Sequence, residues 1–430
     1  MNPLVAALVV FAVLMFLGMP IVFVMTFSSM TYCLVSGKIM FLMVVIEKMF
    51  RGMDSFVLLA IPMFIMCGEV MNRGGITTAI VRFADLLVGR VRGGLAYVNT
   101  LASTFFAGIT GSALSDIASL GSILIPSMEE QGFDKNFSCA VTAATAIQGP
   151  LIPPSIPAVL VASATGLSTG ALFWGGAVPG VLIGLGSAIV IFVEGRFKKF
   201  PKRTEKIPAK EAVRVTISSL LPLMTVVIIL VGMSGGFFTP TEAAAVALAY
   251  ALLITTLIYK PIPLKECYQI GKNVLMQTAT IYLIIAGATT FSYVLAIENI
   301  PTKLSNLINS FAYSRGMVLL IINVILLVWG MFMDTAPSIL VLVPILLPVA
   351  KAAGVDSIHF GVLVVTNLMI GMLTPPFGMA LYTTQSVGKC KMVNLIRNII
   401  PFMAMDFLIL ILITVCPDLV LTLPRMFGFC

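Results

Sequence analysis

Apolar stretches long enough to cross a membrane recur along the whole chain, and no other feature restricts its fold as much. Leu4 to Met30, Leu172 to Val193 and Met392 to Thr414 each hold at least about 20 residues, enough to cross a hydrocarbon core at roughly 1.5 Å per residue. With lipid as solvent, backbone amides and carbonyls must pair within each segment, so the expected class is all-α and polytopic. Only 10% of the residues are charged and the mean hydropathy is +1.08, whereas a soluble globule carries about 25% charged residues. Met1 to Cys33 has no charge and runs on for a full span. It therefore reads as a first membrane helix and not as a cleaved signal.

The net charge of +8 does not point to nucleic acid, because its location explains it. Between Glu194 and Arg214 lie Arg196, Lys198, Lys199, Lys202, Arg203, Lys206, Lys210 and Arg214, against Glu194, Glu205 and Glu211. A basic loop between spans is the positive-inside signal and places this segment in the cytoplasm. The seven cysteines are scattered without a Cys-x-x-Cys pair, so they suggest neither a zinc site nor a disulfide framework.

The segment from Gly132 matches the segment from Gly354 at a constant spacing of 222: Asp134 with Asp356, Gly149 with Gly371, Pro153 and Pro154 with Pro375 and Pro376, and Gly166 with Gly388. Upstream, Asp116 pairs with Asp334 at 218, which asks for four extra residues near Pro344 and Pro348. The first repeat is assigned to 1–195, with scaffold helices in 1–72, a hairpin at 94–131 and a broken helix at 137–166. The cytoplasmic linker is 196–213. The second repeat is 214–430, with scaffold helices in 214–297, a hairpin at 315–352, a broken helix at 357–388 and a final helix at 392–418. Spans near 4–31, 36–52 and 56–72 lead to Arg73, Arg82, Arg90 and Arg92 on the cytoplasmic side, while spans near 214–233, 240–258 and 273–297 leave 300–315 outside. The halves are thus expected to be inverted, with both chain termini periplasmic, a construction that recurs in secondary transporters.

Each half contains a stretch that an ordinary span avoids. Adjacent prolines, as in Gly149 to Pro157 and Gly371 to Gly378, remove backbone donors and stop a helix. The freed carbonyls need partners, and a cation is a natural one. In the hairpins, polar tips at Thr110 to Asp116 and Gly330 to Ser338 join arms that are short for a full span and read as re-entrant. Hydroxyls, carboxylates and carbonyls suit a hard cation such as sodium, while helix N-termini suit a carboxylate. The groups placed for substrate are Gly111, Ser115 and Asp116 at the first tip, Pro154 and Ser155 at the first break, Pro337 and Ser338 at the second tip, and Pro376 and Thr383 at and beyond the second break. Asp116 and Asp334 are intramembrane acids, for which function and capping of the return helix are the competing roles. Further polar candidates are Thr142, Thr145, Gln148, Ser163 and Thr165, with Thr366, Asn367, Thr384, Gln385 and Ser386 in the second half.

With Gly111-Ser112-Ala113, Gly149 to Pro157, Gly236 to Ala243, Met333-Asp334 and Thr374-Pro375-Pro376, the chain from about Ser55 to Pro417 resembles the large, DctM-like membrane subunit of TRAP (tripartite ATP-independent periplasmic) transporters. The resemblance implies an elevator mechanism and sodium-driven uptake of a small organic acid across a bacterial inner membrane, with two or more sodium ions as coupling ions and no enzymatic activity. It implies two partners, a small four-helix membrane subunit and a periplasmic substrate-binding protein. Carried over, the first sodium would lie among Ser112, the tip backbone and the carbonyls around Gly149 and Ile152. The second would lie among Asp334, Thr335 and the carbonyls around Gly371 and Thr374. The first tip departs from the usual Ser-Gly-Ser-Ala, because Thr110 replaces the first serine and Leu114 and Ser115 precede Asp116.

Two rivals remain. A stand-alone sodium/dicarboxylate carrier shares the architecture but shows a Ser-Asn-Thr triplet at its tips, which is missing here. An intramembrane aspartyl protease would use two aspartates but needs a Gly-x-Gly-Asp motif, also missing. His359 is the only histidine and there is no phosphate-binding glycine loop. Residues 1–52 are the expected contact for the small subunit, and 300–315, with Lys303 and Arg315, for the binding protein.

Overall fold

The computed structural model describes residues 2–37, 41–198, 200–202, 208–311 and 314–429, and the regular elements among them are all helical. The first is α1 (Pro3–Phe16), capped by Asn2, whose side chain accepts from the Leu4 amide at 2.9 Å. It ends where Gly18 takes a φ of 74° and Pro20 lacks an amide hydrogen, and α2 (Ile21–Val35) packs against it. The expected single span over 4–31 is therefore two helices of 14 and 15 residues. Nor is 36–52 a span: α3 (Phe41–Met53) carries Glu47, Lys48 and Arg51, with Arg51 and Glu47 paired at 2.8 Å. Three charges in so short a helix suit an interface and not a crossing.

A 3-10 turn at Phe56–Leu59 runs into α4 (Ala60–Arg73), and the two together have the length and composition of a span. Then follow α5 (Ile76–Val88), the hairpin α6 (Gly94–Thr110) and α7 (Ala113–Glu130), the broken pair α8 (Lys135–Ala146) and α9 (Ile156–Thr165), and α10 (Thr169–Phe197). The second half repeats this order. It opens with α11 (Ala209–Ser234), α12 (Pro240–Leu257), α13 (Leu264–Ile297) and α14 (Ile300–Phe311). A hairpin of α15 (Arg315–Phe332) and α16 (Thr335–Ala352) comes next, then the broken pair α17 (Ser357–Gly371) and α18 (Met379–Gly388), and finally α19 (Met392–Val415) and α20 (Asp418–Met426). Most of 300–315 is thus the helix α14, and Lys303 there pairs with Glu298 at 3.8 Å. In the basic linker, Lys199, Arg203, Glu205 and Lys206 lie outside the described residues.

The repeat is more regular than the aspartate pairing suggests. Both return arms, α7 and α16, have 18 residues and start 222 apart, as do α8 and α17. Pro126 and Pro348 fall at matching positions inside α7 and α16, and the peptide bonds Pro153–Pro154 and Pro375–Pro376 are both cis. Asp134 and Asp356 cap α8 and α17 from equivalent places. There is no four-residue insertion near Pro344 and Pro348. Ser112 occupies the position of Asp334, and Asp116 that of Ser338.

Helix α4 packs on α12, and α13 packs on α2, α3 and α4; α7, α8, α18 and α19 form a second group with α6. Phe106, Phe137 and Phe402 are buried in the latter, with Phe137 also meeting Phe200 at 4.9 Å between ring centroids. His359 is fully buried in α17 and its Nε2 lies 2.8 Å from the Ile413 carbonyl, so it joins two helices.

Candidate functional site

At the first tip, α6 ends on Gly111 at a φ of 60°, a conformation a Cβ would strain. A Cβ there would also stand 2.5 Å from the Pro154 carbonyl oxygen, so the tip is seated against the first break. Ser112 caps α7, its hydroxyl accepting from the Ser115 amide at 3.5 Å. Asp116 is 1% exposed. One of its carboxylate oxygens accepts from the Thr110 hydroxyl, and the other has no hydrogen-bond partner. That second oxygen would lie 2.5 Å from a Cβ on Gly149, so the acid presses on the break. Ser155 caps α9, accepting from the Ala158 amide at 3.1 Å while its own hydroxyl donates to the Pro150 carbonyl.

At the second tip the carboxylate is itself the cap. Asp334 Oδ1 accepts from the Thr335 amide at 2.7 Å, and the Ser338 hydroxyl donates to the Asp334 carbonyl at 2.6 Å. Thr335 Oγ1 lies 3.1 Å from Met372 Sδ. The Gly378 amide donates to the Met331 carbonyl at 3.1 Å, tying break to tip. A Cβ on Gly371 would meet Gly330 Cα at 2.8 Å, so backbone touches backbone there. The Thr374 hydroxyl donates to the Ile370 carbonyl at 2.9 Å.

Both tips border one cavity of about 550 Å³. Of the anticipated residues, Gly111, Ser112, Ser115, Asp334 and Thr335 line it. Asp116, Gly149, Ile152, Gly371 and Thr374 belong to the tip and break contacts behind it, and Ile152 packs on Gly180 of α10. Pro154 and Ser155 support the first tip from the break, and Ser338 braces the second cap. Pro337 is buried in α16 without lining the cavity. Pro376 is exposed, and Thr383 bonds its own backbone at Met379, away from the cavity. Thr142, Thr145 and Gln148 are engaged with α6 through Asn99, Ser103 and Thr104. Asn367 bonds Asn323 at 2.7 Å.

Sequence reasoning missed the opposite wall. Glu69 and Asn72 of α4 and Gln277 and Thr280 of α13 line it, with Ile65 and Ile281. The signal was available: Ile65, Glu69 and Asn72 share one face of α4, and Gln277, Thr280 and Ile281 one face of α13. Polar groups repeated at helical spacing inside a span face water or protein, not lipid. Asp406 in α19 was also overlooked. It is buried with one oxygen unpartnered, and it lies outside the cavity.

The first turns of α7, α9 and α16 all border the cavity, so three partial positive charges face it. Helix N-termini suit an anion, and carboxylates and carbonyls suit cations. A cavity between paired hairpin tips, each backed by a broken helix, and a wall of apolar helices defines a polytopic membrane transporter.

The family described as "Tripartite ATP-independent periplasmic transporter, DctM component" matches residues 8–419. The chain belongs to this family. It is 39% identical over 419 residues to the sialic acid TRAP transporter large permease protein of Vibrio cholerae, covering 96% of each. It is 37% identical to the C4-dicarboxylate TRAP transporter large permease protein of Pseudomonas aeruginosa, covering 89% of each. The fold is similar to the crystal structure of the Alcanivorax borkumensis YdaH transporter, with a TM-score of 0.61, 13% identity and coverage of 91% of this chain and 89% of that one. The relatives are transport permeases and not enzymes, and the chain is a multi-pass membrane protein.

Proposed function

We propose that this chain carries a small organic acid, such as sialic acid, a C4-dicarboxylate or a sugar acid, across the bacterial inner membrane in symport with sodium. The observation that carries the reading is that both hairpin tips, each backed by its own break, border a single cavity whose far wall belongs to α4 and α13. Moving the hairpins as a unit past α4 and α13 would carry that cavity across the membrane, which is an elevator motion. Sodium is a co-substrate in this scheme. Ser112, Asp116 and the carbonyls around Gly149 and Ile152 would hold one ion, and the unpartnered oxygen of Asp116 supports that role because a buried carboxylate is stabilised by a cation beside it. Asp334, Thr335 and the carbonyls around Gly371 and Thr374 would hold another. With both ions bound, the helix N-termini and added positive charge favour one substrate carboxylate at the tips, so ion and acid bind together.

The name of the family, with its tripartite and periplasmic terms, supports two partners: a small membrane subunit and a periplasmic binding protein. Both termini are then periplasmic and the 196–213 linker cytoplasmic, as the basic residues there favour. Uptake of labelled sialic acid and succinate into proteoliposomes holding this chain and its small subunit tests the scheme. Accumulation that needs both a sodium gradient and the binding protein is the expected result. Accumulation by this chain alone would replace it with the stand-alone carrier.

A further inference from the structure

The cavity has two walls of different chemistry, and the far wall sorts substrates more finely than the transport reading on which this inference rests. At the hairpin wall sit the helix N-termini and Asp334. At the scaffold wall the carboxylate of Glu69, half-buried in α4, stands with the Gln277 amide and the Thr280 hydroxyl of α13. Among the described residues lining the cavity there is no lysine, arginine or histidine. An acid with a single carboxylate can use the N-termini and the coupling cations at the tips. A second carboxylate reaching the α4 wall would meet Glu69 with no lysine, arginine or histidine beside it, and like charges repel.

Hydroxyl groups suit that wall. A carboxylate only accepts hydrogen bonds, a glutamine amide both donates and accepts, and a threonine oxygen keeps lone pairs after donating to its own helix, as Thr280 does to Met276 at 2.8 Å. Hydroxyls are donor and acceptor at once and can satisfy all three, whereas an ammonium would leave the amide donors of Gln277 unmatched. Size agrees, because about 550 Å³ lies in the range that encloses drug-sized ligands and exceeds what a four-carbon diacid fills. We infer that the substrate is a polyhydroxylated monocarboxylate, its carboxylate at the hairpin tips and its hydroxyls on Glu69, Gln277 and Thr280.

The test uses the purified complex of this chain with its small subunit, in sodium chloride and without the periplasmic protein, so that the selectivity measured is that of the membrane site. Binding of D-gluconate, N-acetylneuraminate and succinate is titrated calorimetrically. At least one of the two polyhydroxylated acids should half-saturate at a concentration about tenfold or more below succinate, as expected for a hydrogen bond to a charged group. Glu69→Gln should raise that concentration about tenfold and lower the one for succinate, since it removes both an acceptor and a repulsion. That opposite movement separates a specificity role from a structural one, which would weaken every ligand alike. Tighter binding of succinate, or a parallel loss for all three in Glu69→Gln, overturns the inference while leaving sodium-dependent transport standing. If none of the three binds in sodium and proteoliposomes accumulate none, the transport reading falls and this inference with it.

Discussion

The two hairpin tips carry the same pair of polar positions with the residue types exchanged. The first reads serine at the cap and aspartate four residues on, Ser112 and Asp116; the second reads aspartate at the cap and serine four residues on, Asp334 and Ser338. The position decides what the carboxylate can do. Four residues beyond the cap it points back into the protein, where Asp116 is shut in by Thr110 and Gly149. At the cap it borders the cavity, as Asp334 does. The repeat thus supplies two carboxylates at different depths from the cavity, one enclosed behind it and one bordering it.

Replacing the cavity-facing acid should have the largest effect. Asp334→Ala removes the carboxylate that borders the cavity and caps α16, and sodium-driven uptake should fall at least about a hundredfold. Asp116→Asn keeps the shape and the bond to Thr110, and should reduce apparent sodium affinity by about tenfold. Equal losses in both variants, measured on monodisperse protein, would remove the distinction between the tips.

The glycines behind the tips give a contrast in stability. Gly371→Ala sets a methyl against the backbone of Gly330, which cannot yield, and should cost about 1–3 kcal/mol in thermal unfolding of the detergent-purified protein. Gly149→Ala meets a side chain, Asp116, that can rotate, so its unfolding temperature should drop less and its sodium dependence shift more. A larger drop for Gly149→Ala would mean that Asp116 is as rigid as backbone. Next in size is Thr110→Val, which leaves Asp116 with no donor and should cost about 1 kcal/mol, recovered in Thr110→Ser. The matching position in the second hairpin is Phe332, where no such bond exists.

Much of this was legible in the residues. Paired prolines stop a helix in any setting, so both breaks and the spacing of 222 below Gly132 were readable, and the polar tips marked the hairpins. The relation between the tips was not, because pairing Asp116 with Asp334 weighed chemical identity over helical position, and only the caps reveal which residue starts each return arm. The N-terminal break was hidden because Gly18 and Pro20 sit in an otherwise apolar run, whose hydropathy stays high through the turn. Glu69, Gln277 and Thr280 escaped notice for a related reason. They sit on two helices far apart in the sequence, and they form a wall only when α4 and α13 come together.

The smallest expected effect concerns how each hairpin rests on the scaffold. Asn72 of α4 donates to the Ser119 hydroxyl of α7 at 2.8 Å, and is itself oriented by the Thr77 hydroxyl, which donates to its Oδ1 at 2.8 Å. The place of Ser119 in the second hairpin is taken by Val341, buried and apolar. The first hairpin is therefore held to α4 by a polar bond at a position where the second presents an apolar side chain. Any elevator motion must break the bond, at a cost of about 1 kcal/mol. Asn72→Ala and Ser119→Ala should each change the initial uptake rate by no more than about fivefold, and the double variant should change it no further, because the bond can be lost only once. Additive changes would mean that the two residues act separately and that the first hairpin is no more tethered than the second.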